Sequence, residues 1–128
     1  MKSEKSRPES DKPHFTGCVE LIPPLPTFIE FVTARRLWGI PIRQLEFFAL
    51  GGNPESDGKT TSPTDMLVLV FETRLAFLFG WRLEQMLDPL MQGRVKRVHA
   101  EKFLGTLMIS EPWVSEIVIV PRFTTIPL

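Results

Sequence analysis

The chain contains no tyrosine, one cysteine and two histidines among its 128 residues. Each scarcity excludes a class of chemistry. With Cys18 alone no intramolecular disulfide can form, and zinc sites built on several cysteines are excluded. His14 stands four residues before Cys18, a spacing that shares one face of a helix. Pro13 and Gly17 oppose a helix there, and two ligands are too few for a structural zinc. His99 sits in a basic segment and reads as a surface histidine.

Net charge is missing too. Fifteen basic residues balance 15 acidic ones, which excludes a strong global field for nucleic acid or anionic lipid. No apolar run is long enough to cross a membrane as a helix. The longest, MLVLVFETRLAFLFGW at 66–81, carries Glu72 and Arg74 at its middle and falls short of ~18 uninterrupted residues. Residues 1–16 lack the apolar centre of a secretory leader, so a cytoplasmic location is expected.

What is present is 43% hydrophobic, enough for a core without staples. Ten Phe and three Trp carry the aromatic content, and 12 Pro argue for many turns and few long helices. The length fits one domain, expected over 17–128. Residues 1–16 are expected to form a disordered tail. Their Lys2, Lys5, Arg7 and Lys12 are nearly cancelled by Glu4, Glu9 and Asp11, too little for a nucleic-acid arm.

LIPPLPTFIE, 21–30, reads as an extended proline-rich entry into a helix. Its PPLP also has the form of a ligand for a WW-type module. Thr27 and Glu30 form a capping-box pattern, which predicts a helix over about 28–38 with Phe28, Phe31 and Val32 on one face, stopped by Gly39 and Pro41. IRQLEFFAL, 42–50, reads as a strand that is either at an edge or in a mixed environment. Residues 66–71 and 75–79 are short apolar runs around Glu72-Thr73-Arg74, predicting a hairpin of central strands. In WRLEQMLDPLMQG, Leu83, Met86, Leu87, Leu90 and Met91 recur at helical spacing and predict a helix over 82–92, kinked or split by Pro89. Residues 94–103 read as a short, basic edge strand, 103–110 are ambiguous, and WVSEIVIV, 113–120, is a strong strand. The expected class is α+β: a mostly antiparallel sheet of about five strands with two short helices.

The stretch GGNPESDGKTTS, 51–62, contains Gly-Lys-Thr but is not a phosphate loop. Gly52 and Gly58 are one residue too far apart, and a β run follows where a helix N-terminus is required. Glu55 and Asp57 would also oppose a triphosphate. A solvated loop between two strands is the better reading.

No nucleophile carries a local signature, and Glu101, Glu111 and Glu116 lie in or beside strands as expected solvated carboxylates. No catalytic, cofactor-binding or metal-ligating residue is therefore assigned. Two basic clusters remain: Arg35, Arg36 and Arg43, then Arg94, Lys96 and Arg97 with Lys102. On one surface they would track a phosphate backbone, with Trp38 and Trp81 for stacking.

TFIEFVTARRLWGIPIRQLEFFALGG, 27–52, and SEIVIVPR, 115–122, resemble the opening and closing segments of bacterial Sm-like RNA-binding proteins of the Hfq type. The resemblance covers about a quarter of the chain. It implies a short first helix, one bent sheet and RNA binding in a ring. The chain departs from the family in its expected helix 82–92 and in having no Lys-His pair before the last strand, so no RNA-contacting residue is carried over.

Burial gives the strongest expectation. Runs 66–71, 75–79 and 117–120 present apolar side chains on both faces of a sheet, and two short helices cover only one. Association is therefore expected, most simply as a symmetric homodimer. The leading reading is a small protein acting through oligomeric or partner association. The alternatives are nucleic-acid binding through Arg35, Arg36, Arg43, Arg94, Lys96 and Arg97, and a ligand pocket or enzyme site between helix 82–92 and the sheet.

Overall fold

A computed structural model describes residues 17–22, 28–58, 62–102 and 110–122. The expected tail over 1–16, the proline run with Thr27, and residues 103–109 lie outside them.

The described strands form two four-stranded sheets. The first holds β1 (Val19–Leu21), β2 (Phe28–Val32), β3 (Leu37–Pro41) and β7 (Val95–His99), in the spatial order β1-β7-β2-β3. The second holds β4 (Leu45–Gly52), β5 (Asp65–Phe71), β6 (Arg74–Trp81) and β8 (Trp113–Pro121), in that order. Every pairing is antiparallel except β2 with β7. The class is α+β, but the expected single sheet of about five strands is corrected to two sheets, and the two helices to one short α-helix among the described residues.

The largest correction falls at 28–38, where a hairpin replaces the expected helix. Ile29 and Phe31 are fully buried while Phe28 is exposed and Glu30 and Val32 are half-buried. That is period two, and the aromatic and β-branched run FIEFV favours it. Phe28, Phe31 and Val32 fit a helical face as well only because so short a run fits both periods. The turn is closed by Thr33, whose Oγ1 accepts the backbone N–H groups of Arg35 and Arg36. The short first helix and single bent sheet implied by the Sm-like resemblance are absent from the described residues for the same reason.

Strand β7 was expected at an edge and lies between β1 and β2. A basic strand tolerates an interior position because its neighbours are acidic. Arg97 stands in register with Glu20 on β1 and Glu30 on β2, and bonds Glu30 at 2.6 Å. Strand β4 is an edge strand, as read, though Ile42–Gln44 forms a 3-10 turn before it.

The expected helix 82–92 is a 3-10 turn, Leu83–Met86, followed by α1 (Leu87–Met91). Arg82 adopts a left-handed conformation, φ 56°, and separates the turn from β6. Asp65 accepts the Leu83 N–H through Oδ2. Pro89 is the third residue of α1, where its missing N–H had no intrahelical partner to lose.

Leu83, Met86 and Leu90 join a core cluster fed by both sheets. Phe31 of the first sheet meets Phe71 of the second edge-on, with ring centroids 6.0 Å apart. The inner rows of the second sheet, Leu67–Leu78–Ile117 and Leu69–Ala76–Ile119, complete it. At the β6–β8 irregularity the backbones approach so closely that a Cβ on Gly80 would overlap the Trp113 carbonyl oxygen.

Candidate functional site

Two surface features stand out, one on the second sheet and one between the two sheets. The first is its outer face. Because paired residues share a face, the register defines cross-strand rows. One row is Ala49, Val68, Phe77 and Val118; a second is Phe47, Val70, Leu75 and Val120; a third is Gly51, Met66, Phe79 and Glu116. Across four strands these rows hold a single charged side chain, Glu116, on an outer strand. Val70 is buried, Phe47 is 56% exposed, and the remaining apolar side chains stay at least partly open. The strands are thus apolar on both faces, as the runs in the sequence required.

At one corner of this face Asn53, Pro54, Glu55, Ser62 and Pro63 line a hollow of about 520 Å³ with Met66, Phe77, Phe79, Glu116 and Val118. The loop is closed on itself. Asn53 donates its N–H to the Thr64 carbonyl and its Nδ2 to the Pro63 carbonyl, and its Oδ1 accepts from Glu55 N–H. In chain order the next element after Gly58 is strand β5, where a phosphate loop requires a helix.

The second feature is a groove of about 460 Å³ between the β2–β3 turn and β8. Thr33, Ala34, Arg35, Arg36 and Trp38 line one side, and Ile117, Val118 and Ile119 the other. The Arg36 and Arg74 guanidiniums lie 5.2 and 5.1 Å from the Trp38 ring centroid, both at cation–π distance. Arg74 was read from the sequence as part of a turn. Nothing in its spacing from Trp38 signals that the fold brings them together.

The six cations singled out in the sequence are divided. Arg35 and Arg36 are exposed at the groove, and Arg43 is exposed on the 3-10 turn before β4. Arg94 is only 6% exposed and donates Nε–H to the Ile22 carbonyl, a structural bond. Lys96 is half-buried at the β1–β7 irregularity. Arg97 is held by Glu30 and by Glu20, and the Glu30 bond raises its pKa further above the ordinary guanidinium value. Trp81 and Trp113 stand in register across β6 and β8, and the Trp113 indole donates to the Glu101 carbonyl.

The other polar candidates also have structural partners. Glu111 accepts the Gly17 N–H at 2.7 Å, and His99 Nδ1 lies 3.4 Å from Glu101. Cys18 is fully buried with its thiol on the Val114 carbonyl, and burial pushes its pKa up to about 11. Among the described residues no three His, Cys, Asp or Glu side chains gather as a metal site, and no helix is long and apolar enough to cross a membrane. The α1 region contributes Leu83, Met86 and Leu90 to the core. No protein family, curated protein or solved structure matches the chain.

Proposed function

We propose that this protein acts through association, and that its unit is a homodimer packed through the outer face of the β4–β5–β6–β8 sheet. The observation that supports it is the pattern of the three rows. Their middle row is wholly apolar, and the one carboxylate sits on a bordering strand.

The size of the face fits a second copy. Four strands at ~4.8 Å and about five residues at ~3.4 Å give a footprint of ~320 Å². Side-chain relief roughly doubles that area, so two opposed faces remove about 1,200 Å² from water, the lower end of stable specific interfaces. A two-fold axis near Val68 and Phe77 sets apolar rows against each other and carries each Glu116 to the rim, where it stays hydrated.

Light scattering on a sizing column, at two salt concentrations, tests this reading. A mass of twice the chain that persists at high salt is expected, because apolar contacts are not screened. A monomer at every concentration refutes it.

A further inference from the structure

We propose that the groove beside β8 receives an extended acidic segment of a partner protein, added to the sheet as a fifth strand. The site follows a strand edge; it shares Val118 with the proposed dimer face, and the rest of its lining lies outside the three rows of that face.

Three observations converge there. Strand β8 is terminal in its sheet. Its first residues are capped by the Glu101 N–H on the Val114 carbonyl, but from Ser115 to Val120 no described residue bonds its outer backbone edge. The groove is lined by Ile117, Val118 and Ile119 in succession. Successive side chains alternate faces, so a hollow touching all three runs along the edge, where the backbone donors and acceptors have no partner among the described residues. An added strand satisfies those groups.

The charge gives the partner's chemistry. Arg35, Arg36 and, through Trp38, Arg74 bring three guanidiniums to the groove, and its lining holds no carboxylate. Arg97 and Arg122 are engaged by glutamates at 2.6 and 2.7 Å, whereas no described carboxylate lies within ion-pair distance of Arg35, Arg36 or Arg74. Guanidiniums fit carboxylates in a paired fork. Trp38 already carries two of them, so its ring is not an open stacking platform for a nucleobase. That favours an acidic strand over single-stranded nucleic acid.

The test uses the full chain and a fluorescent peptide of about eight residues alternating valine and glutamate, titrated by anisotropy. Saturable, salt-sensitive binding is expected. The double variant R35E/R36E changes exposed turn residues only and is expected to weaken binding by about 100-fold, with R35Q/R36Q intermediate. N-methylation of alternate peptide amides on the docking edge is expected to abolish binding. Several outcomes overturn the proposal: no saturable binding; binding untouched by R35E/R36E; binding that survives methylation on either edge; an oligouridylate that binds where the peptide does not; or a fall in solution mass with R35E/R36E, which would place a second copy in the groove.

Discussion

The substitution Val68→Asp separates a dimer face from a face covered by the chain itself. Val68 lies on β5, in the middle row between Ala49 and Phe77, and is half-buried. In a monomer with this face open, the aspartate meets water, and the cost is limited to strand preference, about 1 kcal/mol. In the proposed dimer the carboxylate is buried twice, once per copy, close to the two-fold axis. An unpaired buried carboxylate costs on the order of 3 kcal/mol after relaxation. Two copies give ~6 kcal/mol, which weakens dimerisation by about four orders of magnitude. The assay is light scattering over a concentration series, with urea unfolding of dilute protein alongside. The expected result is a folded monomer whose unfolding midpoint loses concentration dependence. If the variant dimerises as tightly as the parent, the interface lies elsewhere. If it is monomeric and severely unfolded, and the dilute parent is a stable monomer, the face is covered within one chain.

Four further substitutions or measurements check the packing. Phe71→Ala removes the edge-on partner of Phe31 at the meeting of the two sheets and should cost about 4 kcal/mol in urea unfolding. Gly80→Ala forces β6 away from the Trp113 carbonyl and should cost about 3 kcal/mol despite adding only a methyl group. Burial, assisted by the charges of Glu101 and Glu111, raises the Cys18 thiol from 9.0 to about 11. At pH 8 the native thiolate fraction is then ~100-fold below that of a free thiol, and alkylation should be slower by at least that factor. The unfolded thiol loses its proton above pH 9 and the folded one only near 11, so stability should fall across that window. Cys18→Ala should remove that part of the slope in unfolding midpoint against pH.

The parts legible in the sequence were those whose neighbours do not matter. MLVLVF and LAFLF are apolar at every position, so they form central strands wherever the chain puts them; the turn expected over Glu72-Thr73-Arg74 is narrower, with Arg74 opening β6. WVSEIVIV is legible from its β-branched run Ile117–Val120, in spite of Ser115 and Glu116. FIEFV was misread because four or five residues satisfy a helical and an extended period alike. What decides the outcome is the pairing of Ile29 with Ile40 and of Phe31 with Trp38, Val98 and the distant Phe71. RVKRVH was misplaced because its interior position depends on Glu20 and Glu30, which are remote in sequence. The apolar outer face was legible as a two-faced run. The groove was not, since it joins residues 33–38 to 117–119 and recruits Arg74 from a third place.

The two sheets provide each other's control. The outer side of the first carries the row Glu20–Arg97–Glu30, with His99 against Glu101 beside it. Such pairs add little stability at an exposed surface, but they keep a sheet face wet and block contact with another sheet. In the second sheet the ion pair Arg122–Glu46 lies at the periphery, between β4 and the residue after β8, and in the central strands β5 and β6 the outward positions are Met66, Val68, Val70, Leu75, Phe77 and Phe79. A chain that needed only a stable two-sheet core would gain nothing from those side chains, because the inner rows already fill the space between the sheets. Valine and phenylalanine at outward positions lower solubility unless something covers them. The first sheet also carries exposed Phe28 and Leu37 beside its charged row, so the test is comparative: in the proposed dimer Val68→Asp lowers association, whereas a polar substitution at Leu37 leaves it unchanged.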